Sequence, residues 1–158
     1  VLQIPIYHIS LTTALSLHRY SYIASQGPRI LHEEISLLPN EQLPIIVRDP
    51  RPIYDVNREY FSWVPEKNLY ALSSLNQGAG QVRTNGRFAF TVNYVQVAQK
   101  IRSILDQITN ARIINNDKYE LLGSDTEIHM IFSVCGGTGC GTFLNMAYLL
   151  RKEAPGRF

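Results

Sequence analysis

An α/β fold is predicted from three stretches of the 158-residue sequence. An apolar stripe at the helical period runs from Tyr94 to Ile108. A strand-like run, Glu127 to Val134, ends in a glycine cluster. A second helical pattern begins directly after those glycines. Helix, strand, glycine turn and helix in that order make an α/β unit, in which a strand feeds a loop that opens a helix.

Taken in chain order, the first 65 residues are the least legible. Val1 to Ile9 mixes β-formers with a proline and suggests an edge strand. Leu11, Ala14, Leu15 and Leu17 give a weak helical pattern over Leu11 to Ala24. Prolines at 44, 50, 52 and 65 punctuate short extended pieces, with Ile45-Ile46-Val47 a candidate strand. Tyr60-Phe61-Ser62-Trp63 is an aromatic patch expected to pack against something larger.

The second half is clearer. Thr91 or Asn93 is placed to cap a helix carrying Tyr94, Val97, Ala98, Ile101, Ile104, Leu105 and Ile108 on one face, with Gln96, Gln99, Lys100, Ser103 and Gln107 turned away. Asn115-Asn116-Asp117 and Gly123-Ser124-Asp125 punctuate the loop that follows. In Glu127 to Val134, Ile128, Met130, Phe132 and Val134 share one face. Ile131 makes the other face partly apolar, as in a covered interior strand. Phe143, Met146, Ala147 and Leu150 then repeat at helical spacing until Pro155-Gly156.

Composition narrows the function classes. A chain that is 45% hydrophobic and 18% charged belongs to a folded domain rather than a disordered one. A net charge of +2, with no long basic run, gives no argument for nucleic acid. No stretch reaches the roughly 18 consecutive apolar residues of a membrane span, and no signal peptide opens the chain. Two cysteines, Cys135 and Cys140, fit a reducing cytoplasm. The missing initiator Met and the abrupt Gly156-Arg157-Phe158 ending are read as those of a piece of a larger protein.

The glycine cluster Gly136-Gly137-Thr138-Gly139-Cys140-Gly141 is the main candidate site. At a helix N-terminus, backbone N–H groups and the macrodipole favour an anion, and glycines let a phosphate approach the main chain. The dipole alone contributes roughly 0.3–1 kcal/mol, so several N–H bonds must supply the rest. The run lacks the lysine of a Walker A loop and breaks the G-x-G-x-x-G spacing of a dinucleotide fingerprint. Cys-x4-Cys with no nearby histidine makes a poor metal half-site, and the two cysteines are read as small residues chosen for size. Upstream, Gly78-Ala79-Gly80 and Gly86 read as a second permissive loop, with Arg83 and Arg87 available for phosphate oxygens.

These two motifs carry a resemblance. Gly136 to Gly141 resembles the GGTG[ST]G signature loop of tubulins and FtsZ, and Gly78-Ala79-Gly80 resembles the GAG loop that precedes it there. "GAGQVRTNGRFAF" with "SVCGGTGCGTFLNMAYLLRK" looks closest to the prokaryotic tubulin-like family found within larger bacterial proteins, over roughly residues 60 to 152. The resemblance implies a partial Rossmann-like nucleotide-binding domain over residues 61–158, with glycine loops at 78–81 and 136–142 and a poorly assigned part over 1–60. It implies GTP or GDP as ligand, Mg2+ as companion ion, a cytoplasmic location and head-to-tail self-association. By position, Gly136, Gly137, Thr138, Gly139, Cys140 and Gly141 would cradle the phosphates. Gly78, Ala79, Gly80 and Gln81 would approach the terminal phosphate, with Arg83 beside them.

Departures from the family pattern bear on turnover. Cys140 stands where the family has Ser or Thr, a weak donor in place of a good one. The family's first glycine loop and its acidic catalytic loop have no counterpart in the sequence, so no catalytic residue is named. Asp125 and Glu127 read as turn and strand-edge residues. Two rival functions stay open at this point: a non-hydrolysing assembly module on the same fold, and an oxidoreductase with a divergent dinucleotide loop.

Overall fold

A computed structural model describes residues 10–12, 19–26, 29–36, 42–72, 75, 78–111 and 128–154. The edge strand expected over residues 1–9, the loop punctuation at 115–117 and 123–125, and Pro155-Gly156 lie outside the described residues. So do Asp125 and Glu127.

Helices dominate what is described. Two strand pairs precede them. β1 (Ser10–Thr12) runs parallel to β4 (Gln42–Pro44), and β2 (Arg19–Gln26) pairs antiparallel with β3 (Arg29–Ser36). No sheet has more than two strands among the described residues. The helical pattern expected over Leu11 to Ala24 is not formed: β1 and β2 occupy its described parts. Four apolar positions are too few to hold a helix, whereas Tyr20, Tyr22 and Ile23 suit a strand whose partner is close in sequence. Ile45-Ile46-Val47 is not itself laddered. The pairing lies three residues earlier, in β4, and Ile45 and Val47 are buried outside any ladder.

α1 (Pro50–Val56) starts on a proline, which needs no N–H partner in the first turn. A short 3-10 turn (Glu66–Asn68) leads into α2 (Leu69–Leu72). Between them the aromatic patch finds its partner. Phe61 is buried with its ring centroid 4.6 Å from that of Phe88, and Trp63 lies beneath the Arg87 guanidinium at 4.1 Å.

Three longer helices carry the rest: α3 (Arg83–Val92), α4 (Tyr94–Ala111) and α5 (Gly137–Glu153). In α4 the predicted stripe faces the core. Val97, Ala98, Ile101 and Leu105 are buried, while Tyr94, Ile104 and Ile108 are half-buried. Neither predicted cap acts on α4 through its side chain. Thr91 lies inside α3, and the Asn93 amide donates back to the Ala89 carbonyl at 2.9 Å. The Asn93 carbonyl instead accepts the amide of Val97, the first full turn of α4. Gly86, expected in a loop, sits within α3.

The interior strand predicted over Glu127 to Val134 does not form among the described residues; 128–133 join no ladder and no helix. Little of the predicted buried face is covered: Met130, Phe132 and Val134 are exposed, and only Ile128 is half-buried. The run packs antiparallel along α5: Ile128 lies with Ala147 and Leu150 beside a groove, and Phe132 stacks on Phe143 at 4.7 Å. The other face is uncovered, and Ile131 is 97% exposed. Alternation marks two apolar faces, but among the described residues α5 covers only part of one of them.

Candidate functional site

The glycine cluster is not a loop in front of a helix. Gly136 is the N-cap, with extended backbone angles, and Gly137, Gly139 and Gly141 already lie inside the first turns of α5. Upstream, Gly78 (φ 109°) and Gly80 (φ 57°) take backbone conformations that residues with a Cβ rarely adopt. They bend the chain into α3, which begins at Arg83.

A single hydrogen bond joins the two glycine segments. The amide of Gly137 donates to the carbonyl of Gly80 at 2.7 Å. Around it α3 and α5 meet backbone to backbone. A Cβ at Gly137 would lie 2.6–2.8 Å from the carbonyl oxygens of Gly80, Ala79 and Val82. One at Gly86 would collide with the Gly137 carbonyl, and one at Gly141 with the Arg83 carbonyl, 2.6 Å from the Arg87 nitrogen. Gly137 thus meets the start of α3, and Gly141, one turn on, meets α3 one turn on. The helices run in the same direction and begin at the same end, so the positive ends of two helix dipoles converge there.

The sequence-predicted residues divide on this frame. Gly80, Gln81 and Arg83 are exposed at the start of α3. Ala79 is buried, and its carbonyl accepts the amide of Val82 at 3.2 Å and the side-chain amide of Asn85 at 3.4 Å. Gly78 is half-buried and Gly137 buried. Gly136 has open space where its Cβ would stand, the nearest atom being the Ser133 Cβ at 4.0 Å. Gly139 is half-buried, and its missing Cβ would come 2.9 Å from the Ser133 carbonyl. Thr138 is half-buried and its carbonyl accepts the Thr142 hydroxyl at 2.9 Å. The Cys140 thiol donates to the Val134 carbonyl at 2.8 Å. Arg87 is engaged with Trp63, leaving Arg83 as the guanidinium at the common end.

The site fits an anion on two grounds. By their position in the first turn, the amides of Gly136 and Gly139 have no acceptor within α5, and the open side of Gly136 leaves main chain approachable. The structural demand for glycine is larger than the sequence alone indicates. Gly137, Gly139 and Gly141 are each required by a close backbone neighbour, so their density is not by itself a phosphate signal.

Supporting residues escaped the sequence. The Asn68 amide donates to the Thr84 hydroxyl at 2.8 Å, tethering the 3-10 turn to the first turn of α3. Asn85 is buried against the GAG segment, and Thr142 is buried under the first turn of α5. In "TNG", Asn and Gly read as turn punctuation, which hid a helix whose glycine is there for packing. Among the described residues no group of three His, Cys, Asp or Glu side chains stands close enough to hold a metal ion.

Two parallel helices that begin together at glycine-rich turns form an architecture suited to binding an anion. The family is given by a broader match. A family model described as tubulin-like matches residues 32–157, well over half the chain, and the protein belongs to that family. The match starts within the segment that the two motifs leave unassigned. No curated protein and no solved structure matches the chain. No helix among the described residues is long and apolar enough to cross a membrane.

Proposed function

We propose that the common N-terminal end of α3 and α5 binds the phosphates of a guanine nucleotide, GTP or GDP, in a Rossmann-like domain of the prokaryotic tubulin-like kind. The observation that carries this reading is the Gly137–Gly80 hydrogen bond, which brings the two family motifs into one structure at two converging helix N-termini. The first-turn amides of α5 receive the inner phosphates. Gly80, Gln81 and Arg83 stand on the side of the terminal phosphate, Arg83 supplying a charge-assisted bond. Mg2+ enters with the phosphates, which together with water supply most of its usual ligands.

Binding is tested by titrating the protein with GTP, GDP, ATP and NAD. Binding of GTP or GDP in preference to ATP and NAD is expected, and tight NAD binding without GTP binding sinks the proposal. Gly136→Ala adds a Cβ where the nearest atom is 4.0 Å away and φ is negative, so the fold is retained while phosphate loses its approach. Losing one hydrogen bond to a charged group, about 1.5–3 kcal/mol, lowers affinity at least about tenfold. Arg83→Ala is expected to weaken GTP binding more than GDP binding; equal losses remove it from the terminal phosphate.

A second reading, an assembly module that binds nucleotide without turning it over, is favoured by one observation. The Cys140 thiol is turned to the Val134 carbonyl rather than held toward the open side of the turn, where the family's hydroxyl residue stands in sequence. Phosphate release during incubation with GTP, alone and at polymer-forming concentrations, separates the two readings.

A further inference from the structure

Both cysteines of the chain stand at one turn, and both are free thiols. With Gly136 as N-cap of α5, Cys135 is the residue before the cap and Cys140 the fourth residue of the helix. Apolar side chains at these two positions often pack together across a helix entry and fix its angle as a staple. The hydrogen bonding agrees: the Cys140 sulfur lies 2.8 Å from the carbonyl oxygen of Val134, in the peptide unit that joins Val134 to Cys135. One sulfur is therefore a single peptide unit from the α-carbon that bears the other. Cys135 is exposed and Cys140 half-buried, the arrangement of an attacking thiol with a resolving thiol behind it.

We propose that Cys135 and Cys140 form a reversible intramolecular disulfide that closes the staple covalently across Gly136-Gly137-Thr138-Gly139. With a low-molecular-weight disulfide such as oxidised glutathione as oxidant, the Cys135 thiolate attacks one glutathione sulfur and expels the other half as a thiolate. The Cys140 sulfur then attacks the Cys135 sulfur of the mixed disulfide, forming the Cys135–Cys140 bond and expelling the second glutathione. Each protein thiol loses its proton, both protons pass to the departing thiolates, and the two cysteines are oxidised as one glutathione disulfide is reduced. The Cys140 thiol leaves the Val134 carbonyl in the process, and the entry to α5 is fixed in one geometry. The bond needs only the shape of the turn, whatever the turn binds.

The test is thiol counting and intact mass on the purified protein in excess oxidised glutathione. Loss of both thiols is expected, with a mass lower by two hydrogens, no retained glutathione, no disulfide-linked dimer, and full recovery on reduction with dithiothreitol. Cys140→Ser should stop at a glutathione adduct on Cys135, which shows that the second sulfur resolves the first. Wild-type protein that accumulates glutathione adducts, crosslinks between chains, or keeps both thiols under these conditions overturns the proposal. GTP titration of the oxidised and reduced forms keeps the two claims apart. If the disulfide forms in a protein that binds no nucleotide, the staple stands and the phosphate reading falls.

Discussion

The two glycine segments need their missing side chains for different reasons. At Gly78 and Gly80 the cause is backbone angle: both have positive φ, and a Cβ at Gly80 would meet nothing within 4 Å. At Gly86, Gly137 and Gly141 the cause is proximity. Their backbone is ordinary helix, and a Cβ would run into the main chain of the neighbouring helix. Gly136 belongs to neither group, since it has negative φ and open space beside it. One segment aims the chain, the other lets two helix backbones touch, and Gly136 at the N-cap is left with open space beside it.

Substitutions can break this division, beginning with the largest effect. Gly→Ala inside a helix ordinarily gains up to about 1 kcal/mol of helix propensity. Gly86→Ala should instead lose about 2 kcal/mol or more, because its Cβ overlaps the Gly137 carbonyl and forces α3 and α5 apart. A urea midpoint that rises would show that the helices do not touch there. Gly80→Ala should cost about 1 kcal/mol through the left-handed backbone alone, with no steric term. Replacement of Gly80 by Asn, which tolerates that conformation better, should recover part of the loss. Gly136→Ala should change stability by no more than about 1 kcal/mol, its measurable effect falling on nucleotide affinity.

The smallest effect concerns the far end of α5, away from the glycines. Arg102 of α4 grips Glu153 of α5 with two bonds, 2.5 and 2.9 Å long. These bonds, and then the charge of Arg102, hold the Glu153 carboxyl below the usual carboxylate range against a smaller opposing desolvation. A carboxyl lowered in the folded state adds stability above its unfolded value, near 4.3, and loses it as pH falls through the lowered folded value. Glu153→Gln should therefore be slightly less stable than the parent at neutral pH, with the gap closing in acid. A gap that persists at the acid end would place the effect in packing rather than charge.

Legibility followed the range of the interactions involved. The α4 stripe could be read because seven apolar positions at one period fix a face without reference to a partner. The same logic predicts a buried strand over 128–134, yet Met130, Ile131, Phe132 and Val134 stay exposed, because burial needs a surface that alternation alone does not supply. Leu11 to Ala24 was misread because a few apolar residues mimic a helix, whereas a nearby complementary strand decides the outcome. The sequence pairs the two glycine segments and the structure joins them by one hydrogen bond, but the sequence carries no sign that Gly86 lies in a helix or that Gly137 and Gly141 have packing duties. Nothing local distinguishes a glycine needed for a ligand from one needed for a neighbouring helix. That difference lies in atoms contributed from more than fifty residues away.

By itself, the sequence determined that an amphipathic helix runs from Tyr94 to Ile108, that another helix follows the glycine cluster, that two glycine motifs resembling those of the tubulin-like family stand in order along the chain, and that both cysteines stand at the second. The helices follow from periodicity, which acts over a turn or two of chain, and the family reading from the resemblance of the two motifs. Only the tertiary structure decided that α3 and α5 begin at the same end and that the Gly137 amide closes on the Gly80 carbonyl. Each depends on two backbones approaching within hydrogen-bond distance. That approach is set by the packing of whole helices, so no short window of sequence contains it.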